Sequence, residues 1–103
     1  MEGRRIYLQP KDMVFGAMLD LMELQKGEEM QNDPISGKLH FRITMYGETW
    51  VLRFYVMMID MTRCVVTLEI EDEGEDTDAF GETHIGDMIR REYAILDSML
   101  LIG

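Results

Sequence analysis

Residues 37–71, GKLHFRITMYGETWVLRFYVMMIDMTRCVVTLEIE, decide the fold. Apolar side chains occupy every second position over Leu39, Phe41, Ile43 and Met45, with His40, Arg42 and Thr44 between them. The pattern restarts after Gly47-Glu48 as Trp50, Leu52, Phe54, Val56 and Met58. It returns a third time as Cys64, Val66, Leu68 and Ile70. Successive strand residues point to opposite faces, so this alternation predicts three strands sharing one apolar face. It predicts an architecture and no chemistry.

A two-residue loop at Gly47-Glu48, with Gly first as a type II′ turn prefers, sets the register of the first hairpin. Met45 then meets Trp50, Ile43 meets Leu52, Phe41 meets Phe54 and Leu39 meets Val56. A slip of one residue would throw every one of these side chains to the other face. The second hairpin keeps its even positions together only if its loop has an odd length. A three-residue loop at 60–62 or at 61–63 satisfies that. On the outer face this register sets Arg42 against Arg53, an unfavourable like-charge pair, and Arg53 against Glu69 or Glu71. The outer face reads as a solvated charge ladder rather than an anion site.

Upstream, residues 4–8 predict a short first strand. Pro10 suits the first turn of a helix, and Asp12 complements its dipole. Val14, Ala17, Met18, Leu21 and Leu24 recur at helical spacing, and Gly27 is a stop signal, so the helix is expected over 10–26. Residues 28–32 predict an edge strand, followed by a turn through Asn32-Asp33-Pro34 and Ser36-Gly37. Downstream, six of the eight positions 71–78 are acidic. An EF-hand loop requires alternating ligands, a glycine at its sixth position and a glutamate at its twelfth, and this run lacks that spacing. It reads as a solvated loop. Thr83 is the expected cap of a last helix over 84–101, whose stripe is Ile85, Met88, Ile89, Leu96, Met99 and Leu100, with Tyr93 and Ile95 at its margin. Two apolar-faced helices and one apolar sheet face predict an α+β two-layer sandwich in the order β-α-β-β-β-β-α, with both helices on one face of an antiparallel meander.

At 103 residues the chain is expected to form a single domain, 1–103. Twenty acids against ten bases give a net charge of −10, the reverse of the basic face that phosphate recognition needs, so neither nucleic acid nor an anionic membrane is an expected partner. The single cysteine, Cys64, forms no intrachain disulfide and reads as a small buried hydrophobe. The start lacks a signal-like apolar stretch and Arg53 and Asp60 break the longest apolar run, so the expected location is cytoplasmic.

Catalytic and metal chemistry find no support. The two histidines, His40 and His84, do not converge with Cys64 in a two-layer arrangement, and no zinc spacing, phosphate loop or nucleophile elbow is present. No metal, cofactor or catalytic residue is predicted. Of the eleven methionines, nine (Met13, Met18, Met22, Met45, Met57, Met58, Met61, Met88 and Met99) lie in or beside the predicted elements and follow their periodicity, which makes them core residues before copper ligands.

Two binding surfaces are candidates. Phe41, Trp50, Phe54 and Met58 from the inner sheet face and Met88, Tyr93 and Met99 from the last helix would line a pocket for a small apolar ligand. On the outer face, Val51, Tyr55, Met57, Ile59 and Val65 form an apolar patch suited to a homodimer or a protein partner. An acidic chaperone-like adaptor is a further reading.

The helix at 10–26, the meander at 38–71 and the terminal helix at 84–101 resemble a reduced helix-grip domain of the START-like or polyketide-cyclase-like kind. Leu24–Gly27, Asp33, Gly37–Phe41, Trp50–Val56 and Val65–Leu68 carry a rhythm similar to that of small uncharacterised bacterial proteins of this shape. The resemblance implies a curved sheet gripping the last helix around a ligand. It brings no catalytic motif with it.

Overall fold

A computed structural model describes the backbone of residues 2–72 and 79–102 and the side chains of 3–72 and 84–101. The acidic run at 73–78 lies outside the described residues. The elements are β1 (Glu2–Tyr7), α1 (Lys11–Leu24), β2 (Glu28–Asp33), β3 (Lys38–Met45), β4 (Glu48–Asp60), β5 (Arg63–Asp72) and α2 (Ala79–Ile102). The strands form one antiparallel sheet in the order β1-β5-β4-β3-β2. This is the α+β arrangement that the alternation and the two helical stripes predict.

β1 and β2 follow one another in sequence and lie at opposite edges of the sheet. The segment joining them must cross the whole sheet, and α1 is that crossing. Its 14 residues span about 21 Å, close to the roughly 19 Å across five strands. Val14, Phe15, Ala17, Met18, Leu21 and Met22 are buried against the sheet and α2. Leu24, expected in that stripe, is 64% exposed, because it falls at the edge of the buried arc beyond Ala17.

The helix starts after Pro10, one residue later than expected, and ends two residues sooner. Lys26, not Gly27, takes the left-handed conformation that closes it (φ 56°). Gly27 is required for a different reason. A Cβ there would lie 2.7 Å from Phe41 and 2.9 Å from Met22, so only glycine lets the chain pass this close to the core.

The β3–β4 turn differs from the expectation in a way that leaves the faces intact. Its two central residues are Tyr46 and Gly47, both left-handed (φ 57° and 74°), which makes it a type I′ rather than a II′ turn. The register moves by two residues: Ile43 meets Trp50, Phe41 meets Leu52 and Leu39 meets Phe54. An even shift preserves the inward set. It also places Arg42 opposite Val51 instead of Arg53, which removes the like-charge clash. Arg42 reaches Glu28 at 3.5 Å, and Arg53 lies across from Glu69 while pairing with Glu71 at 2.8 Å.

The β4–β5 hairpin closes at Asp60 and Arg63, with an irregularity between Met58 and Asp60 that leaves Ile59 as the extra residue. The expected odd count is therefore met by a bulge and a two-residue turn. Asp60 accepts from the Thr62 amide at 2.9 Å and from Arg63 Nε at 2.8 Å, and the Arg63 contact heads the causes that hold its carboxyl down at about 2.

α2 begins at Ala79, so Thr83 lies within the helix instead of capping it. A threonine costs a helix interior only a fraction of a kcal/mol, and so cannot by itself force a start. Ile85, Met88, Ile89, Leu96 and Leu100 are buried as expected.

Gly37 joins the β2–β3 turn to β4: its carbonyl accepts from the Val56 amide at 2.8 Å. Its φ is 77°, and a Cβ would fall 2.1 Å from the Val56 carbonyl oxygen. Gly47 has a similar φ of 74° with open space around it. Gly37→Ala should therefore cost roughly 2–4 kcal/mol in urea unfolding, against roughly 1 kcal/mol for Gly47→Ala. Equal losses would mean that the close approach at Val56 carries no weight.

Candidate functional site

The inner sheet face and the two helices enclose one apolar core. Phe41, Trp50, Phe54 and Met88, four of the expected ligand-facing residues, have no exposed surface, and Tyr93 is 3% exposed. Phe41 and Phe54 stack with centroids 6.0 Å apart, and Trp50 Nε1 donates to the Met45 carbonyl at 2.9 Å. The Tyr93 hydroxyl is engaged between the Gly3 carbonyl at 2.9 Å and the Val66 carbonyl at 3.1 Å. Beside it, Asp97 accepts from Arg5 and, at 2.7 Å, from the Tyr7 hydroxyl, which ties α2 to β1.

The other two ligand-facing candidates part from this group. Met99 is half-buried and packs on the margin of the core, where it also lines a cleft against α1 with Met13 and Gly16. Met58 is on the inward parity yet 58% exposed. The reason is that β3 begins at Lys38, opposite Tyr55, whereas β4 runs on to Asp60 and outruns its neighbour.

The outer patch is also divided. Met57 and Ile59 are 68% and 44% exposed, and Tyr55 and Val65 are half-buried. Val51 was expected at the surface and is only 2% exposed, because it lies in register between Arg42 and Glu71, whose long stems flank it. Nearby, His40 meets the Tyr55 ring edge-on at 5.2 Å, and burial, with Arg53 and Lys38 adding to it, holds its pKa below the ordinary histidine value.

The residue that pattern reading missed is Glu92. It is a carboxylate with no exposed surface, carried on the buried face of α2 between Met88 and Leu96. Its Oε1 accepts from Gln25 Nε2 at 2.5 Å. Its Oε2 is buried without a hydrogen bond, 3.5 Å from Arg91 Nη1. That guanidinium nitrogen donates instead to Gln25 Oε1 at 3.0 Å and approaches Met45 Sδ at 3.6 Å. A signal was present in the sequence. Position 92 falls four residues after Met88 and four before Leu96, inside the apolar stripe, where an acid breaks the pattern.

Burial pushes the Glu92 carboxyl up to about 7, against smaller downward effects of the Gln25 hydrogen bond and the Arg91 charge. Among the described residues, no three His, Cys, Asp or Glu side chains gather in a way that could hold a metal ion. No helix among them is long and apolar enough to cross a membrane.

The sequence matches no family model and no curated protein. The backbone does have solved counterparts. The crystal structure of Ara h 8.0201 superposes with a TM-score of 0.69 at 10% identity, over 100% of this chain and 97% of that one. The fold is a helix grip. The Zhui aromatase/cyclase from Streptomyces sp. R1128 matches with a TM-score of 0.47 at 13% identity, over 97% of this chain and 90% of that one. A Thermus thermophilus protein, TTHA0849, has a TM-score of 0.47 and 12% identity, over 97% and 92%. Within this helix grip, Glu92 is the fully buried carboxylate among the described residues of α2.

A carboxyl held above its unfolded value binds its proton more tightly in the folded state. Glu92 therefore carries no penalty below its unfolded value of 4.5, and an increasing one as pH rises towards about 7. The full penalty is roughly 3 kcal/mol. Urea unfolding should show Glu92→Gln close to the wild type at pH 5 and more stable at pH 8. An unchanged pH profile in the variant would remove Glu92 as the source.

Proposed function

We propose that this protein is a non-catalytic binding module, in which α2 and the inner sheet face hold a small apolar ligand carrying one hydrogen-bond donor. The observation that carries the reading is Glu92 Oε2, a buried acceptor without a hydrogen bond, 3.5 Å from the Arg91 guanidinium and carried on the same face of α2 as Met88 and Leu96. Such an oxygen is costly unless a donor meets it, and a ligand hydroxyl or amine would supply one. Phe41, Trp50, Phe54 and Met88 provide the apolar surround, with Tyr93, Met58 and Met99 towards its margins. The core is closed around Phe41, Trp50, Phe54 and Met88 in the free protein, so binding displaces some of these four. Met18, Met22 and Met88, unbranched and buried in the same core, are suited to that movement.

Trp50 is the single tryptophan, and its indole N–H gives one resonance reporting from inside the grip. In a titration with 2-naphthol, that resonance should shift, and Glu92→Leu should weaken binding about tenfold. Naphthalene, which lacks the donor, should bind the wild type more weakly than 2-naphthol. A 2-naphthol affinity indifferent to Glu92→Leu would overturn the reading.

A second reading draws on Met57 and Ile59, which remain exposed on the outer side of β4. They suit a homodimer or a protein partner, with Tyr55 and Val65 beside them. Ile59→Lys should then halve the mass seen in sedimentation while leaving the circular dichroism unchanged. A monomeric wild type at high concentration would remove the homodimer.

A further inference from the structure

The end of α1 is fastened to α2 through three side chains. Arg91 Nη1 donates to Gln25 Oε1 at 3.0 Å, and Gln25 Nε2 donates to Glu92 Oε1 at 2.5 Å. Gln25 closes α1, and the chain turns sharply after it: Lys26 is left-handed, and Gly27 runs directly against Phe41 and Met22. The Gly27 amide donates back to the Met22 carbonyl at 2.9 Å. Gln25 therefore holds down a strap of chain, 25–27, that lies on the apolar core.

Arg91 has a second acceptor within reach. Its Nη1 is 3.5 Å from Glu92 Oε2, the oxygen that has no hydrogen bond. The guanidinium side chain is 47% exposed and free to swing, whereas the carboxyl is fully buried. A carboxylate holds a guanidinium more strongly than an amide oxygen does, because that hydrogen bond is charged on both sides. A neutral acid has no such advantage, so one proton decides between the two acceptors.

Few other groups bear on that proton. From α1, Gln25 is uncharged, and its charged neighbours Glu23 and Lys26 are exposed. The buried inward residues of β3, β4 and β5 are apolar apart from Cys64, which pairs with Met58 at the far end of β4 from Met45. From β1, Arg5 and Tyr7 are engaged by Asp97 of α2. On α2 itself, Asp87 and Arg90 pair with each other at the surface. Among the described residues, the charge that acts on Glu92 is that of Arg91.

We infer that Arg91 is a proton-controlled latch, bonded to Gln25 while Glu92 is neutral and drawn onto Glu92 Oε2 when Glu92 ionises. In the neutral state two hydrogen bonds tie Gln25 to α2, and ionisation leaves one. Burial places the change of state at about 7. The strap is thus held more firmly below that pH than above it. The latch works in the free protein and does not rest on the ligand reading of Oε2.

The test is amide hydrogen exchange of the full chain, followed by NMR between pH 5 and pH 8 and expressed as protection over the intrinsic rate. Protection at Gly27 should fall about fivefold as pH rises through the transition. Glu92→Gln retains His40 and His84 but cannot ionise at 92, so Gly27 should stay protected throughout. Arg91→Ala removes the latch and keeps the carboxyl, on a helix that alanine favours. There, protection at Gly27 should already be about fivefold lower at pH 5 and flat with pH, while the Gln25 side-chain amide still titrates, its midpoint raised by about half a pH unit. Unchanged circular dichroism checks that both variants fold. The inference is overturned if Gly27 protection in the wild type ignores pH. It is equally overturned if the fall persists in Arg91→Ala, which would make ionisation alone the cause, or in Glu92→Gln.

Discussion

Two strands adjacent in sequence lie at opposite edges of the sheet, and everything else follows from what must connect them. The connection crosses a sheet face in which Leu39, Phe41, Ile43, Trp50, Leu52, Phe54, Val66 and Leu68 all point the same way. Leaving that face in water would forfeit the largest favourable contribution to folding. α1 covers it over β3, β4 and β5, and α2 adds cover over β5. The helix grip is thus one way of closing an apolar face with two helices.

Closure is tight where backbone meets backbone. Gly27 lets the chain leave α1 directly against Phe41, and Gly37 lets the β2–β3 turn bond to Val56. It is looser in chemistry around Glu92. There, Gln25 at the end of α1 and Arg91 on the flank of α2 satisfy one carboxyl oxygen and one amide oxygen, and leave Oε2 without a donor. A leucine at position 92 would complete the apolar stripe. Keeping an acid there forgoes stability, and the proposed ligand role of Glu92 is argued from that cost.

Charged and exposed apolar side chains are unevenly distributed over the chain. Acids dominate the sequence from the end of β5 onward, in the run that opens with Glu71 and Asp72. The opposite end, where β4 passes beyond β3, holds Met57, Met58 and Met61 as exposed side chains, with Arg63 bound to Asp60 at the hairpin tip.

Alternation by itself determined which side chains face inward, because a strand's two faces follow parity and no other information is needed. That is why Phe41, Trp50 and Phe54 were legible as core, and why an error of two residues in the β3–β4 register moved no residue to the wrong face. Helical spacing likewise sufficed for the positions of α1 and most of α2. Tertiary structure alone decided the rest. Tyr46 accepts a left-handed backbone that local preference assigns to other residues, and it is at the first turn position because the ladder on either side places it there. Met58 has inward parity but lies beyond the end of β3, and parity carries no information about where a neighbouring strand stops. Val51 is buried by the stems of charged neighbours from two other strands. The partners of Glu92 join residues far apart in the chain and on different elements. Periodicity is a local property, and such meetings exist only once the sheet has closed.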